Sequence, residues 1–205
     1  NLQGNEANGR AIVRLVFSSR REAAVNYAAI KYSDIANGPG VRTVLFVSGC
    51  THHCAECFQP ETWSFSFGRP FTQEVEDEII QSLNEPWVAG ITVLGGEPME
   101  PVNQAGLLPF LQRVKRECPG KSIWVYTGDV YENLLYGGRN CPETADLFDC
   151  IDVLVDGPYA KDLKDISLRF RGSSNQRIID VPASLASGEV VLWEDDPQFA
   201  SHKMV

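Results

Sequence analysis

Residues 41–58, VRTVLFVSGCTHHCAECF, join an apolar run to a loop that holds three cysteines. The run VRTVLFVS (41–48) is rich in β-branched residues and shows little alternation of polar and apolar residues after Val44. A strand with this pattern is buried on both faces, as the strands of a parallel sheet are. The stretch therefore predicts a parallel sheet in which one buried strand ends in a cysteine-rich loop.

Strand and helix patterns alternate along the rest of the chain. The other predicted strands are short apolar runs at 90–96, 122–128 and 151–157, with one or two more within 167–181 and a last one at 189–193. The predicted helices lie at 72–83, 109–118 and 143–150. Thr72 is a suitable N-cap for the first helix, and Pro109 is typical of the first turn of the second. This order is typical of an α/β fold in which helices cover a mostly parallel sheet.

Three motifs fall at the predicted ends of successive strands. The cysteines follow the first strand, GGEP (95–98) ends the second, and TGD (127–129) ends the third. In sheets of this kind, ligands bind at the carboxyl ends of the strands. We therefore expect one pocket to hold all three motifs.

Charge and composition exclude several classes of partner. The chain has 18 Lys and Arg against 27 Asp and Glu, a net charge of −9, whereas nucleic-acid binding needs a basic face. We therefore expect no nucleic-acid partner. We also expect no membrane span, because no apolar run is long enough. Six cysteines in 205 residues are too few for a disulfide scaffold, which indicates a reducing, cytoplasmic location. We expect the scattered Cys118, Cys141 and Cys150 to be buried or free thiols.

The two ends of the chain differ from its middle. Residues 1–24 contain four arginines and two glutamates, and we interpret them as a tail, an expression remnant or a start placed too early. We expect the folded domain to span residues 25–193. Residues 194–205 are expected to form a disordered C-terminal tail.

Cys50, Cys54 and Cys57 follow a Cys-x3-Cys-x2-Cys spacing that several cofactors could use. A structural zinc site usually takes two separated ligand pairs, and here His52 or His53 would have to supply the fourth ligand. A redox pair is also open, because CAEC (54–57) is a C-x-x-C motif. A cubane iron–sulfur cluster usually takes four thiolates, so three would leave one iron free to bind a substrate directly. We expect both histidines to face solvent or support such a cluster rather than bind it.

The cysteine spacing together with GGEP resembles the signature of the radical S-adenosylmethionine superfamily. The resemblance implies a 4Fe-4S cluster held by Cys50, Cys54 and Cys57, with S-adenosyl-L-methionine bound at the open iron. One electron would then cleave the sulfonium to methionine and a 5′-deoxyadenosyl radical. The resemblance also implies an incomplete (βα)6-type barrel with a mostly parallel sheet, because a complete eight-unit barrel needs about 250 residues.

The same resemblance assigns contacts with S-adenosyl-L-methionine to a set of residues near the motifs: Glu56, Phe58, Gly95, Gly96, Glu97, Thr127 and Gly128. Glycines allow close backbone approach, and a carboxylate can accept from the methionine ammonium. Thr127 and Gly128 would lie near the ribose or the methionine. Many members place an aromatic residue before the third cysteine, whereas this chain has Glu56 there and its aromatic residue, Phe58, just after.

Segments outside the motifs narrow the resemblance to one group of enzymes within the superfamily. DIANGPGVRTVLFVSGC (34–50), DVLVDGPY (152–159) and LRFRGSSNQRIID (168–180) resemble the glycyl-radical-enzyme activases that serve the anaerobic ribonucleoside-triphosphate reductase. The resemblance implies an enzyme that takes a hydrogen atom from one glycine of the large reductase subunit. It also implies an electron donor such as flavodoxin. Asp156, Arg171 and Asn175 would be either site residues or polar strand-end residues with structural roles.

Three alternatives share part of this pattern. A 7-carboxy-7-deazaguanine synthase would act on a small pterin and share the cysteines and GGEP, but it should lack LRFRGSSNQR (168–177). A pyruvate formate-lyase activase is usually longer. A non-catalytic zinc-binding interaction module would use the cysteines without S-adenosyl-L-methionine, and the absence of iron would distinguish it.

Overall fold

The computed structural model describes residues 25–195, so the N-terminal tail and residues 196–205 of the C-terminal tail lie outside the described residues. The strands are β1 (Asn26–Asp34), β2 (Val41–Val47), β3 (Arg69–Pro70), β4 (Val88–Gly95), β5 (Ser122–Tyr126), β6 (Val153–Asp156) and β7 (Arg177–Asp180). The α-helices are α1 (Gln73–Leu83), α2 (Pro101–Glu117), α3 (Tyr131–Tyr136), α4 (Thr144–Cys150) and α5 (Val181–Ser187). Short 3-10 helices lie at Pro60–Trp63 and Lys161–Leu163. None of the helices within 25–195 is long and apolar enough to cross a membrane.

The seven strands form one sheet in the order β3-β1-β2-β4-β5-β6-β7. The middle of the sheet is parallel, from β2 through β4 and β5 to β6. Its flanks are antiparallel, where β1 pairs with β2 and β3, and β7 pairs with β6. The predicted α/β class is confirmed, whereas the barrel stays a prediction because the described residues form four parallel strands rather than six.

The main core lies between the sheet and the helices. Apolar side chains of alternate strand positions, such as Leu45 and Ile91, pack against helix residues such as Leu83 and Phe110. Burying each such side chain stabilises the fold by about 1.5–3 kcal/mol. The other face carries a smaller cluster in which Trp124 packs edge-on against Phe170 and Trp193.

One charged side chain, Arg42 on β2, is completely buried on this second face. Its guanidinium donates to Thr92 Oγ1 at 2.8 Å, to the Ile91 carbonyl at 2.7 Å and to the Ser122 carbonyl at 2.9 Å. Burial lowers the pKa of Arg42 to about 10, so the side chain remains a cation at neutral pH. These bonds fasten β2 to β4 and β5, the strands whose ends carry the motifs.

Two predicted boundaries are wrong. The helix predicted at 109–118 begins at Pro101, so Pro109 lies inside it rather than in its first turn. The early buried positions of α2 are Asn103 and Gln104, and their polarity hid the apolar periodicity of the first turns. The strand predicted at 189–193 is reduced to a single bridge between Leu192 and Ile179.

Candidate functional site

A cavity of about 650 Å³ opens at the carboxyl ends of β2, β4 and β5. Every residue that the resemblance assigned to the cluster or to S-adenosyl-L-methionine lines it: Cys50, Cys54, Glu56, Cys57, Phe58, Gly95, Gly96, Glu97, Thr127 and Gly128. Tyr159, Gly172 and Gln176 line it from the later part of the chain. The structure therefore brings the three motifs together, while the roles of the individual residues stay predictions.

The cysteine loop (residues 49–58) follows β2 and is held at its base by the 3-10 helix. Gly49 N–H donates to the Thr62 carbonyl at 2.8 Å, and Cys50 N–H donates to the Trp63 carbonyl at 3.1 Å. Cys50 is buried, Cys57 is half-buried and Cys54 is exposed. Burial raises the pKa of the Cys50 thiol, which favours its protonated form until a metal binds.

The cysteine thiols fit an iron–sulfur cluster. All six cysteines lie in the described part of the chain and are free, and only Cys50, Cys54 and Cys57 line the cavity. The predicted burial of Cys118 and Cys150 is confirmed, and Cys141 is half-buried. Three free thiols at one cavity can supply three of the four thiolates that such a cluster usually takes, and ligation by these three cysteines stays a prediction.

The GGEP loop (residues 95–100) packs backbone to backbone against the base of the cysteine loop. Gly96 N–H donates to the Val47 carbonyl and Glu97 N–H to the Gly49 carbonyl, both at 2.8 Å. A Cβ on Gly96 would lie 2.7 Å from the Gly49 carbonyl oxygen, so only glycine fits without a backbone shift. Gly95 has φ of +114°, which also favours glycine.

Glu97 joins all three motifs. Its side chain is only 1% exposed. Oε1 accepts from Met99 N–H at 2.8 Å, and Oε2 accepts from Gly128 N–H at 2.8 Å and lies 2.9 Å from His52 Nε2. Both carboxylate oxygens thus have protein partners. Acceptance of a bond from a ligand ammonium stays a prediction, and the observed contacts make Glu97 a link between the loops.

His52 lies within the site as a cation. Hydrogen bonds with Asp129, whose Oδ2 is 3.3 Å away, and with Glu97 raise the pKa of His52 to about 10. Burial acts to raise the pKa of Asp129, but hydrogen bonds from His52 and Asn133 lower it to about 2. His52, Glu97 and Asp129 have the spacing of metal ligands, and in this structure the imidazole contacts both carboxylates. These contacts tie the cysteine loop to the GGEP and TGD motifs, and the expectation that His52 supports a cluster rather than binds it stays a prediction.

Arg139 completes this charged network from the loop between α3 and α4. Its guanidinium forms ion pairs with Glu100 and Asp129, and its Nη2 donates to Thr51 Oγ1 at 3.0 Å. Nη2 also approaches His52 Nε2 to 3.4 Å, a contact between two cations that Asp129 stabilises by bonding to both. Nothing in the sequence near Arg139 marks it, whereas Asp129 belongs to the TGD motif and Glu100 lies two residues after GGEP.

The mouth of the cavity is bridged by two exposed contacts between the cysteine loop and residues 158–176. Glu56 forms an ion pair with Lys161, and the Phe58 ring lies 6.3 Å from the Tyr159 ring. Phe58 is 88% exposed, so its side chain is available to a ligand or a partner.

The three weaker candidates have structural contacts. The buried Asp156 accepts from Tyr131 N–H and pairs with Arg177. Arg171 donates to the Gln176 carbonyl, and Asn175 donates to the Pro158 carbonyl. None of the three is among the residues that line the cavity, which favours structural roles for them over roles in the site.

Comparisons with known proteins agree on one family. A family model described as a 4Fe-4S single cluster domain matches residues 36–179. The anaerobic ribonucleoside-triphosphate reductase-activating protein of Escherichia coli is 46% identical over 154 residues, which cover 74% of this chain and 96% of that protein. The protein of the same name from Salmonella typhimurium is 48% identical over 145 residues, 70% of this chain and 90% of the relative. The protein of the same name from Enterobacteria phage T4 is 36% identical over 154 residues, which cover 75% of this chain and 93% of the relative.

Proposed function

Because this chain belongs to the family of anaerobic ribonucleoside-triphosphate reductase-activating proteins, we propose that it generates a glycyl radical on the large subunit of such a reductase. The resemblance to activases is thereby confirmed, and the match to an iron–sulfur domain disfavours the zinc module. The observation that carries the proposal is the convergence of three free cavity-lining thiols with the GGEP and TGD loops.

Cys50, Cys54 and Cys57 would hold a 4Fe-4S cluster, and the cavity has the size of an ordinary cofactor site for S-adenosyl-L-methionine. When bound, a reduced cluster would supply one electron for the cleavage of S-adenosyl-L-methionine, which is the chemistry needed to take a hydrogen atom from the substrate glycine. No side chain has to act as a general acid or base, because a hydrogen atom carries its own electron.

The tasks of the chain's own residues are therefore to bind and orient the cofactors and to exclude water from the cavity. Glu97 keeps the cysteine, GGEP and TGD loops in one arrangement through its three hydrogen-bond partners. Phe46, Leu94 and Tyr126 give the cavity an apolar wall, which would keep a bound ligand away from solvent. We assign the adenine contact to residues 56–58 and the ribose or methionine contact to Thr127 and Gly128.

We also propose that the sheet is the incomplete barrel that the resemblance implies. The edge strands β3 and β7 stand at opposite ends of the strand order, which leaves a side open for a glycine-bearing loop of the reductase. A flavodoxin-like electron donor and a cytoplasmic location belong to the same proposal.

The test compares two cysteines in different surroundings. Cys54 is exposed at the cavity, whereas Cys118 is buried in the main core. We expect Cys54→Ala to fold normally but to lose iron after anaerobic reconstitution and to cleave no S-adenosyl-L-methionine. We expect Cys118→Ala to lose about 1–2 kcal/mol of stability and to retain iron and cleavage. Cleavage that persists in Cys54→Ala would overturn the cluster assignment.

A further inference from the structure

We propose that Arg139 is a positioning residue that holds the cysteine loop in the arrangement needed for the cluster and S-adenosyl-L-methionine. The predicted effect on the cluster and on S-adenosyl-L-methionine rests on the proposed function. The role of Arg139 in holding the cysteine loop rests on the charged network alone. Arg139 is anchored to a helix, joins three loops and differs in its surroundings from Arg113, an arginine that pairs with three carboxylates away from the cavity.

The backbone of Arg139 is anchored to helix α2. Gln104 Nε2 donates to the Arg139 carbonyl at 3.0 Å and to the Met99 carbonyl at 2.7 Å. Thr144 Oγ1 donates to Gln104 Oε1 at 2.7 Å, which fixes the amide in turn. Arg139 thus projects from a fixed point, although it lies in a loop.

The guanidinium joins the same three loops that Glu97 joins. Glu100 ends the GGEP loop, Asp129 follows Thr127 and Gly128, and Thr51 follows Cys50 in the cysteine loop. The planar guanidinium of an arginine can donate to several fixed acceptors at once. The single ammonium of a lysine cannot donate in the same set of directions.

Glu100 and Arg139 together hold the cysteine loop directly after Cys50. Glu100 Oε1 accepts from both Thr51 N–H and Thr51 Oγ1 at 2.7 Å, while Arg139 pairs with the other oxygen of the same carboxylate. Loss of the guanidinium leaves Glu100 and Asp129 poorly hydrated without that countercharge, and such a state is strongly unfavourable. The loops would separate to admit water, and Cys50 would become accessible.

Arg113 offers a matched control. It contacts three carboxylates, Glu76, Asp77 and Glu117, where Arg139 pairs with two, and its side chain is 19% exposed against 14% for Arg139. These partners lie on α1 and α2, and none lines the cavity. Loss of an arginine that pairs with more than one carboxylate is therefore common to both variants, whereas of these two arginines only Arg139 contacts the cysteine loop.

The experiment measures thiol access in the full chain before the cluster is reconstituted. N-ethylmaleimide labelling at fixed pH is followed by peptide mass spectrometry in wild type, Arg139→Gln, Arg139→Lys and Arg113→Gln. Cys50 should label about tenfold faster in Arg139→Gln, because local opening exposes it, and Arg139→Lys should restore part of the protection. Cys118, which is buried in the core, should keep its wild-type rate in every variant.

The reconstituted proteins give the second readout. Arg139→Gln should lose iron to EDTA faster than wild type and bind S-adenosyl-L-methionine more weakly, while Arg113→Gln should match wild type in both. Wild-type labelling of Cys50 in Arg139→Gln would overturn the inference, as would equal acceleration of Cys50 and Cys118, since that result means global unfolding. Failure of wild type to cleave S-adenosyl-L-methionine would instead overturn the proposed function and leave the labelling result intact.

Discussion

Gly96 lies where the GGEP loop meets the cysteine loop with no space for a side chain. A Cβ there would lie 2.7 Å from the Gly49 carbonyl oxygen and 3.1 Å from the Gly49 nitrogen, so the backbone itself must move. We expect Gly96→Ala to cost about 1–3 kcal/mol of unfolding free energy in urea and to lower iron uptake.

Gly138 provides the control for this substitution. A Cβ at Gly138 would have nothing within 4 Å, so Gly138→Ala should keep wild-type stability to within about 0.5 kcal/mol. If Gly96→Ala unfolds at the same urea concentration as Gly138→Ala and takes up as much iron, the close packing of the two loops is not what holds the site.

Sequence reasoning located the residues whose chemistry is unusual and missed those whose partners are distant. Cys50, Cys54 and Cys57 stand out by spacing, and all of them line the cavity. Arg139 looks like any loop arginine, because its partner Thr51 is 88 residues away in the chain. Only the fold brings the two together, so no local pattern could have identified it.

At the scale of elements, the strand predictions were correct where a strand is buried on both faces. β2, β4, β5 and β6 were found because continuous apolar runs are typical of strands covered on both faces. β1 was missed, since this flanking strand pairs antiparallel and mixes exposed Lys31 and Tyr32 with buried Tyr27. The short helices α3 and α5 were also missed, and α5 begins at Val181, the last residue of a segment predicted to contain a strand.

Helix α2 gives a test at this scale. Pro109 lies inside the helix with an exposed side chain, where it lacks the N–H for a bond to the residue four positions earlier. We expect Pro109→Ala to raise the unfolding free energy by about 1 kcal/mol, measured by urea denaturation.

Pro101 occupies the first turn of the same helix and serves as the comparison. Proline suits that position, so Pro101→Ala should be neutral or slightly destabilising. A Pro109→Ala protein no more stable than Pro101→Ala would mean that the helix is already adapted to its internal proline.

At the scale of the whole molecule, the helices and the cavity use different parts of the sheet. The helices pack against one face, while Trp124, Phe170 and Trp193 form a separate cluster on the other. The strand ends and residues 158–176 enclose the cavity, and the contacts across its mouth are exposed. Because exposed ion pairs contribute little stability, a loop of a partner protein can break the Glu56–Lys161 pair at a small cost in free energy.

The whole-molecule arrangement was the least accessible to sequence reasoning. The alternation of strands and helices predicts an α/β sheet, but it does not say that β1 and β3 flank it on one side and β7 on the other. Those flanks depend on antiparallel pairing between segments with weak patterns. Whether the sheet curves into an incomplete barrel depends in turn on strand tilt, which no residue pattern in this chain encodes.

The most direct test of the central claim is an electron paramagnetic resonance spectrum of the reductase after activation. The reconstituted, reduced protein is mixed anaerobically with S-adenosyl-L-methionine and the large reductase subunit. The account predicts a glycyl-radical doublet on that subunit with wild type and Cys118→Ala, and none with Cys54→Ala. Cleavage of S-adenosyl-L-methionine by wild type without a doublet would contradict the assigned partner, and a doublet with Cys54→Ala would contradict the cluster on which the account depends.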